Sequence, residues 1–173
     1  MNHPTDKDLF VKYLQENKGI VFKICNSYFM NKAERDDLAQ EIIYQLWQSF
    51  HTYHSELRFT TWMYRVALNV AISFYRKGKS ALKEADPLEN YMNLGFTNET
   101  DDDLEHEHET NRRLLHQFIR ELDELDRSLM ILFLEAKNYK EIAEIVGITE
   151  SNVGTRINRI KEKLKQKFIT YKK

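Results

Sequence analysis

Near the end of the chain, Asn152, Arg156, Arg159 and Lys163 follow one another at spacings of four, three and four. On an α-helix that spacing puts them on one face. Their shared chemistry is recognition of nucleic acid. Arg pairs bidentately with guanine, Asn with adenine, and Lys meets phosphate. Beside them Val153, Ile157, Ile160, Leu164 and Phe168 form a stripe suited to burial. The residues upstream supply the turn such a helix needs. Ala143 is small enough for two short helices to cross closely, and Gly147 admits positive φ four residues later. Thr149 is an N-cap for the second helix, without the Glu that would complete a capping box, since Asn152 stands there. Residues 139–165 therefore read as a DNA-binding helix-turn-helix. A solvated basic helix closing a bundle would account for the charges, but not for Ala143, Gly147 and Val153 together. Gly154 interrupts the second helix at a cost of about 1 kcal/mol relative to Ala. Either the backbone passes close to DNA there, or the helix is weaker.

A second set of candidates lies earlier. Arg65, Asn69, Ser73 and Arg76 recur at four, four and three, and Tyr53, His54, Ser55, Arg58 and Phe59 precede them. Aromatic rings beside cations suit single-stranded DNA, whose unstacked bases rest on rings while phosphates meet Arg. Core packing is the competing use of such rings. The loop aromatics are the better platforms, because a loop buries rings less easily than a helix does. A third set is polar: Asp37, Gln40, Glu41 and Tyr44 lie opposite the apolar period Leu38, Ile42, Leu46 and Phe50, which Ile43 and Trp47 widen.

Three stretches of chain must position these groups. Residues 1–79 read as an N-terminal helical domain. Residues 33–50 form one helix there, and residues 61–77 another, with Thr60 or Thr61 as N-cap and Gly78 at the stop. Residues 80–110 hold Pro87, Gly95, several Asn and an acidic run, with no sustained apolar period, and read as a flexible, solvated linker. Residues 111–173 are helical again and carry the helix-turn-helix. The expected class is all-α, two helical domains joined by an acidic tether, with no strand-like alternation.

Net charge is −1, which alone would argue against a nucleic-acid ligand, but the average conceals two opposed segments. Residues 99–109 hold seven acids and no Lys or Arg, while residues 155–173 hold eight basic residues and one acid. No apolar run approaches the ~18 residues of a membrane span, and the N-terminus lacks the pattern of a signal peptide. The single cysteine, Cys25, sits among apolar residues, where a buried small hydrophobe is the natural reading. No disulfide can form within one chain, which fits a reducing cytoplasm. His51 and His54, or His106 and His108, stand without a further ligand cluster, so neither a metal nor another cofactor is expected.

Three blocks, in order, carry a resemblance to a known family. They are DLAQEIIYQLW (residues 37–47), FTTWMYRVALN (residues 59–69) and the helix-turn-helix. Together they make the chain resemble a bacterial extracytoplasmic-function (ECF) RNA polymerase sigma factor. The resemblance implies a subunit of the polymerase holoenzyme that selects promoters and has no catalysis or small-molecule substrate of its own. On matching positions, Asp37, Gln40, Glu41 and Trp47 would face the clamp helices of the largest polymerase subunit, with Tyr44 on the same polar side. Ser55, Phe59, Arg65, Asn69 and Arg76 would serve the −10 element, with Arg58 beside them. Ser151, Asn152, Thr155, Arg156 and Arg159 would serve the −35 element, with Lys163 continuing their face. The linker would thread the polymerase cleft, its acids imitating phosphate. The family also implies an anti-sigma factor as a further partner. Two other readings compete. A stand-alone regulator would need a ligand pocket or a dimer surface in residues 1–79, where the sequence offers a polar helix and an aromatic-basic helix instead. An enzyme acting on nucleic acid would need the metal ligands that the chain lacks.

Overall fold

The computed structural model describes residues 5–82 and 103–172, with the side chains of residues 80–82 and 103–107 left aside. The linker's Pro87, Gly95, Glu99, Asp101 and Asp102 lie outside the described residues, and so does the expectation that they imitate phosphate. Among the described residues every regular element is helical.

The N-terminal half holds three long helices, α1 (Asp6–Tyr28), α2 (Lys32–Ser49) and α3 (Phe59–Leu82), with a 3₁₀ turn at Phe50–Thr52 after α2. Thr5 starts α1 with a capping box, its hydroxyl accepting from the Asp8 amide while the Asp8 carboxylate accepts from Thr5. The Thr5 hydroxyl, and after it the Thr5 amide, hold the Asp8 carboxyl below its ordinary value by donating to it. Asn31 caps α2. The helices pack on one another through the period read in the sequence: Leu38, Ile42 and Leu46 are fully enclosed, against Ile24 and Met63.

Two boundaries differ from the sequence reading. Helix α3 does not stop at Gly78 but runs on to Leu82, because Gly78 keeps a helical φ rather than the left-handed conformation that ends a helix. Helix α4 begins at Asp103, so residues 103–110, read as linker, already belong to a helix.

The C-terminal half consists of α4 (Asp103–Arg120), α5 (Glu124–Leu134), α6 (Tyr139–Val146) and α7 (Glu150–Tyr171). Asp123, Asn138 and Thr149 cap the last three. Helix α5 closes with a Schellman turn: the Lys137 amide donates to the Leu132 carbonyl and the Ala136 amide to Phe133. This puts Ala136 at φ 56°, a left-handed position normally given to glycine.

The two halves are docked, α1 against α4 and α5, and α3 against α5 and α6. The seam is built on Arg127, which is 1% exposed. Its guanidinium carbon lies 4.8 Å from the Tyr28 ring centre and 4.4 Å from that of Tyr75, one ring from α1 and one from α3. Nη2 donates to the carbonyls of Arg120 and Leu122, while Nε and Nη1 have no hydrogen-bond partner among the described residues. Around this cation, Tyr28 Oη lies 2.8 Å from Ser128 Oγ and donates to the Glu124 carbonyl. Burial pushes the Tyr28 hydroxyl up to about 12. Lys23 pairs with Glu135 at 2.6 Å on the rim.

The Schellman turn yields a stability prediction. Releasing an Ala from the left-handed region recovers about 1–2 kcal/mol, and Gly returns part of it as chain entropy. Ala136→Gly is expected to stabilise the protein by about 0.5–1 kcal/mol, raising the thermal midpoint by roughly 2–4 °C. Differential scanning calorimetry reads it, and a lowered midpoint contradicts the strain at Ala136.

Candidate nucleic-acid interface

The helix-turn-helix forms as its spacing requires. Gly147 ends α6 at φ 80°, with its amide donating to the Ala143 carbonyl at 2.8 Å. Thr149 then starts α7 by accepting from the Asn152 amide. Val153, Ile157, Ile160 and Leu164 are buried, which turns Ser151, Asn152, Thr155, Arg159 and Lys163 to solvent. Thr155 Oγ1 donates back to the Ser151 carbonyl, one turn earlier on the same surface.

Arg156 departs from the expected face. Its side chain is only 25% exposed, and it reaches back to α5, where Nε donates to Asp126 Oδ1 at 2.8 Å and Nη2 approaches the same oxygen at 2.7 Å. Asp126 is buried, so its carboxylate needs that counter-ion. The guanidinium that the sequence offered to a base is spent on pinning α7 to α5. Spacing alone could not reveal this, because the acid lies thirty residues away.

Gly154 also finds its explanation inside the domain. A Cβ there would meet the Tyr139 ring at 3.4 Å. The ring at the start of α6 lies across the backbone of α7, at a distance that admits a methyl but not a larger side chain. Neither reading offered by the sequence anticipated this close helix crossing.

The second candidate surface is rearranged more. Phe59 is buried, with its ring 4.8 Å from Tyr13 and 5.4 Å from both Tyr53 and Trp62. It is a core residue, not a free base platform, and the expectation that a loop would leave such rings open fails. The loop folds back between α1 and α3, and the cluster with Phe50 encloses it. Beside it His54, Ser55 and Arg58 stay exposed, and Tyr53 is half-buried. A cleft next to this loop is lined by Leu9, Tyr13, Tyr53, His54 and Ser55. On α3, Asn69 is exposed, whereas Arg65 donates to the Glu144 carbonyl of α6 at 2.8 Å and Arg76 lies 3.5 Å from Glu124 of α5. Two of the cations assigned to this surface therefore face the seam between the halves.

On α2, Asp37, Gln40, Tyr44 and Trp47 are exposed and Glu41 is half-buried, accepting from Gln45. Ile43 and Trp47, which widened the inward stripe in the sequence, are 38% and 40% exposed, and the Trp47 ring leans on Phe10 at 5.2 Å. Polar and apolar groups thus share one open helix face.

Comparison with known proteins shows the family of the chain. Residues 13–81 match the family model of sigma-70 region 2, and residues 112–164 match that of sigma-70 region 4. The chain belongs to the ECF RNA polymerase sigma factors. It binds core RNA polymerase and directs promoter recognition and transcription initiation. Among its relatives are the ECF RNA polymerase sigma factor SigW of Bacillus subtilis, 23% identical over 94% of this chain and 90% of the relative. The RNA polymerase sigma factor SigV of the same organism is 28% identical, over 90% of this chain and 88% of that one. The ECF sigma-E factor of Haemophilus influenzae is also 28% identical, over 95% of both. The fold matches solved structures of CnrH with the cytosolic domain of CnrY and of the sigma factor RpoE with the anti-sigma factor NepR from Bartonella quintana. The TM-scores are 0.64 and 0.66 at 17% and 16% identity, over 93% and 90% of this chain and 88% and 95% of those chains.

The two arginines of α7 have separable consequences. Arg156→Ala leaves the buried Asp126 without its counter-ion and is expected to cost about 3 kcal/mol of folding stability. Arg159→Ala is expected to leave the melt within about 0.5 kcal/mol. Gly154→Ala is expected to be neutral or to stabilise by up to about 1 kcal/mol, whereas Gly154→Leu displaces Tyr139 and destabilises. Urea unfolding of the variants reads all four. An Arg156→Ala protein as stable as the parent removes the structural assignment.

Proposed function

We propose that the three surfaces divide the work of the sigma factor. Helix α2 presents Asp37, Gln40, Glu41, Tyr44 and Trp47 to core polymerase. Tyr and Trp on an open amphipathic helix are the residues that carry binding energy at protein interfaces, and the adjacent acids suit an Arg-bearing partner helix. Ser55, Arg58 and Asn69 meet the −10 element, joined by Arg65 and Arg76 once these leave the seam. Phe59 supports the loop from beneath. On α7, Ser151, Asn152, Thr155 and Arg159 meet the −35 element and Lys163 its phosphates, while Arg156 holds the helix at its angle. The protein does no chemistry itself and acts in the cytoplasm, where the polymerase works. Like the neighbours solved with anti-sigma partners, it is held in check by a protein partner.

The observation that carries this reading is the occupied state of Arg65 and Arg76, together with a matter of length. The −35 and −10 elements are about 25 base pairs apart, on the order of 85 Å of duplex. A compact chain of this size is on the order of 40 Å across. The docked protein cannot lie on both elements at once. Twenty residues separate α3 from α4, and twenty residues reach at most about 70 Å. The docked arrangement is therefore the form off the polymerase, and engagement parts the seam.

Two measurements test this. Tyr44→Ala and Glu41→Arg are each expected to weaken association with core polymerase at least tenfold, about 1.4 kcal/mol, with the melt within about 0.5 kcal/mol of the parent. Dyes on Gln48→Cys and Asn158→Cys in a Cys25→Ser background should show efficient energy transfer in the free protein and lose it in the promoter complex. Unchanged transfer on promoter engagement would mean that the halves stay docked and the division of surfaces is wrong.

A further inference from the structure

A groove of about 1050 Å³ crosses the seam, bounded by α1, the start of α2, α4 and α5. Lys23, Arg35, Arg112, Arg113 and Arg120 line it, and Glu135 is the one acid among its lining residues. Lys23 already pairs with Glu135, which leaves the four arginines. Arg112 and Arg113 share the single carboxylate of Glu109. Arg35 is half-buried and donates to the amide oxygen of Asn26, which carries no charge. Arg120 is half-buried too. Its guanidinium makes no hydrogen bond or ion pair among the described residues, although its backbone carbonyl accepts from Arg127.

These charges converge on one place rather than following a track. Burial lowers the affinity of Arg120 for a proton, and Arg127 and Arg35 lower it further. His116, on the same wall, is depressed by burial and then by Arg120 and Arg112. Arg120 is thus the common neighbour of Arg35 from α2, of His116 on its own helix and of Arg127 from α5. Arg127 adds a buried cation with two nitrogens unpartnered among the described residues. Half-buried cations set beside like charges lack the anion that would stabilise them.

We propose that this groove binds the oligophosphate group of a small molecule, with phosphate oxygens on Arg35, Arg112 and Arg120. Guanidinium forks match phosphate oxygens, and an oligophosphate brings several negative charges on one compact body. A single carboxylate would leave most of the arginines uncompensated. A nucleic-acid strand spreads its charges along a basic track, whereas these cations gather at one point. The volume is close to the upper end for small-ligand sites, about 1,000 Å³. At the rim Phe22 is 69% exposed, Met30 62% and Leu134 47%, which gives an attached base or other organic body apolar surface to rest on. Arg35 belongs to the N-terminal half and Arg112 and Arg120 to the C-terminal half, so a bound oligophosphate bridges the seam and stabilises the docked form. Nothing in this site depends on how the promoter-facing surfaces divide their work.

The test is calorimetric titration of the full-length protein with inorganic tripolyphosphate, and separately with ATP and GTP, without divalent cations. Tripolyphosphate is expected to bind with one-to-one stoichiometry and to raise the thermal midpoint. Its affinity should fall at least tenfold on Arg120→Ala and roughly threefold on Arg112→Ala, and stay unchanged on Arg159→Ala at the DNA face. The Arg120 side chain supports no other group among the described residues, so its variant should melt like the parent. In the unaltered protein His116, followed by NMR, should titrate at higher pH once tripolyphosphate is bound. A nucleotide that binds more tightly than tripolyphosphate and loses that advantage on Phe22→Ala identifies a nucleoside polyphosphate as the source. Equal affinities indifferent to Phe22→Ala identify the phosphate chain alone. Absence of binding, affinity that follows Arg159 rather than Arg120, or a His116 that ignores the ligand overturns the proposal. So does an oligothymidylate strand that binds through Arg120 more tightly than tripolyphosphate, since the groove would then be a strand track.

Discussion

Arg127 is the constraint around which the halves are arranged. Its guanidinium lies between a ring from α1 and a ring from α3, and one nitrogen caps carbonyls at the end of α4. Among the described residues no carboxylate completes the site, and two of its nitrogens are unpartnered. Cation–π contact stabilises a desolvated Arg by roughly 2 kcal/mol or more, while leaving buried polar groups unpaired costs about 1–3 kcal/mol each. The opposing effects are of the same size. An interface centred on such a group holds together without being locked, as suits the proposed parting of the seam on polymerase.

The same balance bears on Arg65 and Arg76, the cations proposed for the promoter. Arg65 donates to a backbone carbonyl at the end of α6, and Arg76 lies near Glu124 with most of its own surface in water. Neither contact is deeply buried, so DNA phosphate can replace it without stranding a charge. The contacts that hold each half together are of another kind. Leu38, Ile42, Val153 and Ile157 are fully enclosed within their own halves, and Arg156 on Asp126 is closed off from solvent on the acid side. Separation therefore leaves these contacts in place, while it uncovers the face of α3 that α5 and α6 cover.

Local features were readable in the sequence to the extent that they were local. Gly147 and Thr149 set the turn through their own backbone preferences, and Leu38, Ile42 and Leu46 declared the inner face of α2 by period alone. Whatever depended on distant chain was not. Arg156 looked free because Asp126 lies in another helix, and Phe59 looked open because Tyr13 comes from α1. Gly154 had no partner in view until Tyr139 was brought over it. Helix α3 has Met63, Tyr64 and Ala67 buried beside Trp62 and Leu68, a wider arc than one stripe, because α1 and α2 cover one side and α5 and α6 the other. No periodicity within a single helix encodes a second neighbour.

The seam also joins two parts of one chain, and this has a quantitative consequence. A contact between tethered partners sees a local concentration on the order of millimolar, set by the length of the connection. Its equilibrium is unimolecular, so the closed fraction is the same whether a cell holds ten copies or ten thousand. Synthesis of more protein raises the number of closed and open molecules in proportion and leaves their ratio unchanged. Under the proposed opening, what shifts the ratio is a partner that prefers one of the two forms, so the fold responds to what binds it rather than to its own abundance.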